Sequence, residues 1–312
     1  MAKKKKGRLL KELRTQMREN KKAFILWLVL RLFVIAAMVL SAVRGYYENM
    51  FLCLAVLVLF LVPAFIEKKL DIRLPSGLQI LILIHIFATE ILGELACYYV
   101  TYQHWDTIMH TVWGFLCAAI GYSMVDIMNR GNNAHRFRLS PAYMALAAFC
   151  FSMTIGVLWE FFEFAMDRVF LLDMQKDTVL HKFTSVMLDE THSNIPILVD
   201  DITSVSINGT DLGLGGYLDI GLYDTMEDLF VNFIGALVFS TIGFLSNKSE
   251  RARKLAFQFI PRASDENTEL QETEDETASA DESPDSSENK SDKQEQSEEK
   301  GSSCDSNTQE DG

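Results

Sequence analysis

The sequence predicts an all-α fold: a polytopic membrane helix bundle of about six transmembrane helices, with a small hairpin-containing extracytoplasmic loop. Three observations carry this. Six apolar runs approach the ~20 residues needed to cross a bilayer, near 24–43, 50–66, 78–98, 106–127, 142–165 and 223–245. Basic segments fall on alternate connections between them. Polar residues inside and at the ends of the runs recur at three- and four-residue spacing, which is the spacing of one helix face.

The elements follow in order. Residues 1–22, "MAKKKKGRLLKELRTQMRENKK", form a basic N-terminus expected in the cytoplasm. The apolar run after it exceeds a signal-peptide core of about 7–15 residues, and more spans follow, so it reads as a retained anchor. The second run is short and ends at Pro63 and Glu67. The connection "EKKLDIRLP" is net basic, "NRGNNAHRFR" carries Arg130, Arg136 and Arg138, and a basic juxtamembrane segment, 247–262, follows the last span. With six spans these all share the side of the lysine-rich N-terminus. The positive-inside rule then places a multi-pass protein in the cell membrane with both termini cytoplasmic.

The transmembrane bundle is expected over 23–246, with 166–221 as an extracytoplasmic loop. That loop has nine acids against Arg168, Lys176 and Lys182. Its second half alternates β-branched residues, and Asn208-Gly209 is a strong hairpin signal. An ordered cap with a hairpin, folded back over the helix ends, is the expectation. Residues 263–312 hold 18 acids and 3 lysines, a balance of −15 within a chain of net charge −13, which leaves +2 for everything before them. Such a segment cannot bury enough apolar surface to offset its chain entropy and is expected to be disordered. The five cysteines are scattered with no CxxC, which argues against a disulfide framework or a zinc–thiolate site.

The candidate site comes from charged residues where lipid is expected. The third run contains Glu90 and Glu94, four apart. The fourth opens with His104, Asp106 and His110, the last two again four apart. The fifth ends with Glu160 and Glu163, three apart, and the sixth opens with Asp224, Asp228 and Asn232 at four-residue spacing. Four residues correspond to roughly 6 Å of depth. In the predicted topology all four helices place these groups in the outer leaflet, beside the long loop. Ionisable residues inside a membrane are costly and usually serve a site. Acids at helix N-termini are also favoured by the helix dipole, which accounts for Asp106 and Asp224 alone. It accounts poorly for Asp228, Asn232, Glu160 and Glu90. Oxygen and imidazole ligands of this kind suit a divalent metal as cofactor. Asp106, His110, Glu163, Asp224 and Asp228 would supply ligands, with His110, Glu163, Asp224 and Asp228 the leading set.

The motifs "HWDTIMH", "WEFFE" and "LYDTMEDL" with the following Asn and Gly-Ala resemble the YjdF-like family of uncharacterised bacterial membrane proteins. The matching positions are His104, Asp106 and His110; Glu160 and Glu163; Asp224, Thr225 and Asp228. The pattern is also distantly similar to the VanZ-like family, through Asp106 and His110, Glu160, and Asp228, Asn232 and Gly235. That family is associated with glycopeptide tolerance at the cell envelope. The resemblance spans about 80–242 and implies a fold and a set of positions, but no reaction.

The function expected is a multipass membrane protein with an outward-facing His/Asp/Glu pocket, acting as a metal-dependent envelope or lipid-handling hydrolase. An ion- or proton-coupled transporter and a non-catalytic envelope adaptor are the alternatives. The partners expected are membrane lipids and a small-molecule or lipid-linked substrate, and no nucleic acid.

Overall fold

Close backbone contact between two helices organises the bundle. The structure, a computed structural model, describes residues 21–70, 72–130 and 139–263. The lysine-rich 1–20, the segment 131–138 and the acidic tail from 264 lie outside the described residues. Among the described residues six helices are long and apolar enough to cross a membrane, so the chain is a mostly helical polytopic membrane protein with minor sheets.

The first span is α1 (Lys21–Val43). The second is built from α2 (Tyr47–Leu59) and α3 (Val62–Leu70). It extends beyond the expected end near 66 because Pro63 sits at the second position of α3, where a missing N–H costs little. The break at Phe60–Leu61 precedes it, and the Trp27 indole N–H donates to the Phe60 carbonyl there at 3.3 Å. The strand β1 (Ile72–Arg73) leads into α4 (Ser76–Ile86). The third span then changes register: Phe87–Leu95 is a π-helix, where a regular helix to about 98 was expected. The Thr89 hydroxyl donates to the carbonyls of His85 (3.0 Å) and Ile86 (3.2 Å) inside this transition. Gly93 leaves room for the Tyr99 ring, since a Cβ there would lie 2.2 Å from it.

After the short α5 (Tyr98–Thr101) come α6 (Trp105–Arg130) and α7 (Pro141–Phe170). Ser140 caps α7 by accepting the Tyr143 N–H at 3.2 Å, with Pro141 in the first turn. The last span is α8 (Leu222–Leu245), followed by α9 (Glu250–Ala256) and β8 (Arg262–Ala263). Antiparallel pairing of β1 with β8 and a hydrogen bond from Leu78 N–H to the Gln258 carbonyl (3.1 Å) hold the two basic connections at one end of the bundle.

Helices α6, α7 and α8 form the centre. A Cβ on Gly235 would lie 2.0 Å from the Thr111 carbonyl oxygen, and one on Gly114 2.3 Å from the Asn232 carbonyl oxygen. Only hydrogen fits at either position, so the two backbones touch, as small residues permit in membrane bundles. The Ser152 hydroxyl on α7 donates to the Gly114 carbonyl at 2.8 Å. Below this contact, Leu116, Ala118, Ala119, Tyr122, Met144, Ala148, Ala236 and Phe239 form one buried apolar cluster. A second cluster, around Val34, Cys53, Val56, Phe60, Leu83 and Ile91, joins the first three spans.

Between α7 and α8 the chain forms three short antiparallel ladders. They are β2 (Thr178–Leu180) with β7 (Tyr217–Asp219), β3 (Phe183–Ser185) with β4 (Ile197–Val199), and β5 (Ser206–Ile207) with β6 (Thr210–Asp211). Asn208 (φ 53°) and Gly209 (φ 82°) make the two-residue turn of the last ladder. Residues of this hairpin are exposed. The loop is tied to the helix ends instead by hydrogen bonds from residues 174–176 and by Asp219, whose carboxylate accepts the Tyr223 N–H at 2.9 Å. Asp189 organises the middle of the loop: its carboxylate accepts the Thr191 hydroxyl (2.6 Å) and the N–H groups of Thr191 (3.0 Å), Ser193 (2.8 Å) and Ile195 (3.0 Å).

The helix contact and the Asp189 turn are each testable. Gly235→Ala forces a methyl into backbone and costs about 3 kcal/mol or more of stability, whereas Thr241→Ala, on the exposed face of α8, stays within about 0.5 kcal/mol. Thermal unfolding in detergent measures both, and equal melting would contradict the contact. The Asp189 turn adds a pH dependence. Hydrogen bonds, the Thr191 hydroxyl first, lower the Asp189 pKa to about 2, against about 3.9 for an unfolded Asp. A depressed carboxyl stabilises the fold above the unfolded value and loses that contribution as pH falls through the folded one. Amide exchange at Thr191, Ser193 and Ile195, corrected for intrinsic rates, therefore stays protected down to about pH 4 and weakens toward about pH 2. Unchanged protection at the acid end of that range would contradict this.

Candidate metal centre

The first turns of α6 and α8 and the last turns of α7 meet at the end of the bundle that carries the loop. Asp106 and His110 stand one turn apart on α6, and their side chains approach to 3.4 Å (Oδ1 to Nε2). From α8, Asp228 Oδ2 comes to 3.6 Å of the same Nε2. From α7, Glu160 Oε1 lies 3.9 Å from His110 Nδ1. One imidazole is thus faced by carboxylates from three helices. Ligand atoms of Asp106, His110 and Asp228 all fall within 4.8 Å of one another, as do those of Glu160, Glu163 and Asp228.

The groups are enclosed: Glu160, Glu163 and Asp228 are 4%, 7% and 3% exposed. Glu163 Oε1 accepts the Trp159 indole N–H at 2.9 Å. Its other oxygen, Glu160 Oε2 and Asp228 Oδ2 are buried and have no hydrogen-bond partner. Buried acceptors without donors are rare and costly, so three in one place demand a proton or a cation.

The other sequence candidates fall in different places. Asn232 is one turn below Asp228 and 1% exposed, wedged against Gly114 and Gly156, with its amide donating to Met153 Sδ at 3.5 Å. Asp224 belongs to neither ligand group. Its Oδ2 accepts the backbone N–H of Lys176 at 2.8 Å, so it ties the loop to α8. The Gln175 amide donates to the Thr225 hydroxyl beside it. Glu90 is half-buried in the π-helix, and Glu94 and His104 are exposed. No ion pair or hydrogen bond joins these three to the cluster among the described residues.

Several contributors carry no clear mark in the sequence. Asp167 accepts the N–H groups of Met174 (2.7 Å) and Gln175 (2.9 Å), fixing the start of the loop over the helix ends. It could have been found, because Glu160, Glu163 and Asp167 continue one helical stripe. Tyr99, in α5 outside the spans, has its pKa raised, by burial first and then by the charges of Asp106, Glu94, Glu90 and Glu163. It therefore stays a neutral phenol beside these acids. Trp113, one turn below His110, stacks on His85 with ring centroids 5.6 Å apart. No spacing rule marks Tyr99, Gln175 or Lys176.

Fold and site together define a polytopic helical membrane protein with a buried His–carboxylate cluster at one end of its bundle. Residues 25–249 match the family described as "Predicted membrane protein (DUF2238)", and the chain belongs to that family. No curated protein and no solved structure matches it.

The Asp224 tether is testable. Hydrogen bonds to charged groups contribute about 1.5–3 kcal/mol. Asp224→Ala should raise amide exchange at Lys176 by about tenfold or more while leaving exchange in the α6–α8 contact unchanged. Unaltered exchange at Lys176 would contradict the assignment.

Proposed function

We propose that the cluster binds a divalent cation and that the protein is a metal-dependent hydrolase acting at the membrane interface on a lipid-linked substrate. The observation that carries this reading is the set of three buried carboxylate oxygens without a hydrogen-bond partner beside one imidazole. The donor set fits: oxygen with a single nitrogen suits Zn²⁺, Mn²⁺ or Mg²⁺ better than a thiolate-seeking metal. Asp106, His110 and Asp228 would hold the cation, with Glu160 and Glu163 adjoining. A bound cation would lower the pKa of a water and polarise a substrate oxygen. Glu163, oriented by the Trp159 indole, would accept a proton from that water. Asp224, through Lys176, and Asp167, through Met174 and Gln175, would keep the loop over the site and limit access by bulk water.

The orientation is part of the proposal. The basic connections at the opposite end support a cytoplasmic placement of that end, with the cluster in the outer leaflet. The YjdF-like and VanZ-like resemblance of the same positions supports a role at the cell envelope. A second reading, an ion- or proton-coupled carrier, draws on the π-helical Phe87–Leu95, because such irregular segments occur often at functional sites. Ion flux in proteoliposomes would favour it.

The test is metal content of the detergent-purified protein. The wild-type chain should retain zinc or manganese through washing, and Asp228→Asn and His110→Ala should each weaken binding by about tenfold or more. If the carboxylates only shape the bundle, Asp228→Asn changes melting and nothing else. A wild-type protein that holds no metal under saturating conditions would overturn the reading.

A further inference from the structure

We infer that the cluster holds two divalent cations, one among Asp106, His110 and Asp228 and one among Glu160, Glu163 and Asp228, with the Asp228 carboxylate bridging them. This deepens the cation-binding reading above and rests on it.

The geometry divides the ligands in this way. Each set brings its donor atoms within 4.8 Å, and Asp228 is the member they share. The imidazole belongs to one set. His110 Nε2 faces Asp106 Oδ1 at 3.4 Å and Asp228 Oδ2 at 3.6 Å, whereas Nδ1 faces Glu160 Oε1 at 3.9 Å. A neutral imidazole offers one lone pair. With Nε2 given to the first cation, Nδ1 keeps its proton and cannot ligate the second, and Glu160 Oε1 lies 3.9 Å from it. The Glu160 and Glu163 oxygens then need a cation of their own.

The unpartnered atoms agree. A single cation among Asp106, His110 and Asp228 would satisfy Asp228 Oδ2 and leave Glu160 Oε2 and Glu163 Oε2 buried without a partner. A second cation between them removes both defects. Charge points the same way. As carboxylates, Asp106, Glu160, Glu163 and Asp228 carry four negative charges. One dication leaves two of them uncompensated among buried groups, and two dications balance all four. Uncompensated buried charge is among the costliest features a fold can carry. Asp224 belongs to neither ligand set, its carboxylate accepting the Lys176 backbone N–H, and its negative charge adds to the excess that cations would offset.

The probe is Mn²⁺ alone, added to the full-length chain in detergent, with bound metal counted and its paramagnetic resonance recorded. Counting by itself would include ions on the acidic tail of 263–312. Two ions sharing a carboxylate are exchange-coupled, so the coupled signal and its loss in site variants, rather than the count, report the pair. The expected result is a coupled signal in the wild-type chain from a tightly held pair. Glu160→Gln with Glu163→Gln should lose one tightly held ion and convert the coupled signal to the six-line spectrum of an isolated ion. Asp228→Asn should also abolish the coupling. A wild-type chain with one tight ion and only an isolated six-line spectrum overturns the second cation and leaves the single-cation reading standing. No tight ion overturns both. A coupled signal that survives the Glu160→Gln, Glu163→Gln change overturns this division of the ligands.

Discussion

The backbone contact of α6 with α8 is the constraint on which the rest depends. Both helices start at the loop end and run in parallel, and Gly114 and Gly235 let them touch through main-chain atoms. His110 stands one turn above Gly114, and Asp228 two turns above Gly235. The close approach therefore sets the distance between the imidazole and that carboxylate. A wider gap would let lipid or loop residues separate them. Ser152 on α7 bonds to the Gly114 carbonyl and locks the third helix to the same point, which brings Glu160 and Glu163 to the cluster.

Electrostatics then distinguishes residues that look alike in the sequence. Two parallel helix N-termini point toward the cluster, and their dipoles favour negative charge within the first turn. Asp106 and Asp224 lie in those first turns and gain from them. Asp228 is a full turn further in, and Glu160 and Glu163 lie two to three turns before the end of α7, so neither has the support of a helix N-terminus. The acids least supported by the fold are the ones with buried, unpartnered oxygens. The cation proposed above would act where the helix termini do not.

Hydropathy made the spans legible, because crossing a bilayer demands long apolar runs and six are present among the described residues. Helical spacing made much of the cluster legible too: Asp106 with His110, Glu160 with Glu163, and the Asp228–Asn232 stripe. The π-helix at Phe87–Leu95 was not legible, since it reflects hydrogen-bond register while composition stays that of an ordinary span. The loop contacts were also hidden. Asp224 meets Lys176, and Thr225 meets Gln175, across 48 and 50 residues of chain, and no local pattern encodes such a meeting. Asp224 looked like a ligand because its spacing to Asp228 is helical. Its Oδ2 accepts the Lys176 N–H, and Asp228 is the residue of that helix found in both ligand groups.

The most direct test is anomalous diffraction from crystals of the full chain grown with Mn²⁺. Anomalous density is expected within about 2.0–2.4 Å of Asp228 oxygens and of His110 Nε2, inside the ring formed by Asp106, Glu160 and Glu163. An ordered cluster with no anomalous density, its carboxyls hydrogen-bonded to one another or to water, would contradict cation binding.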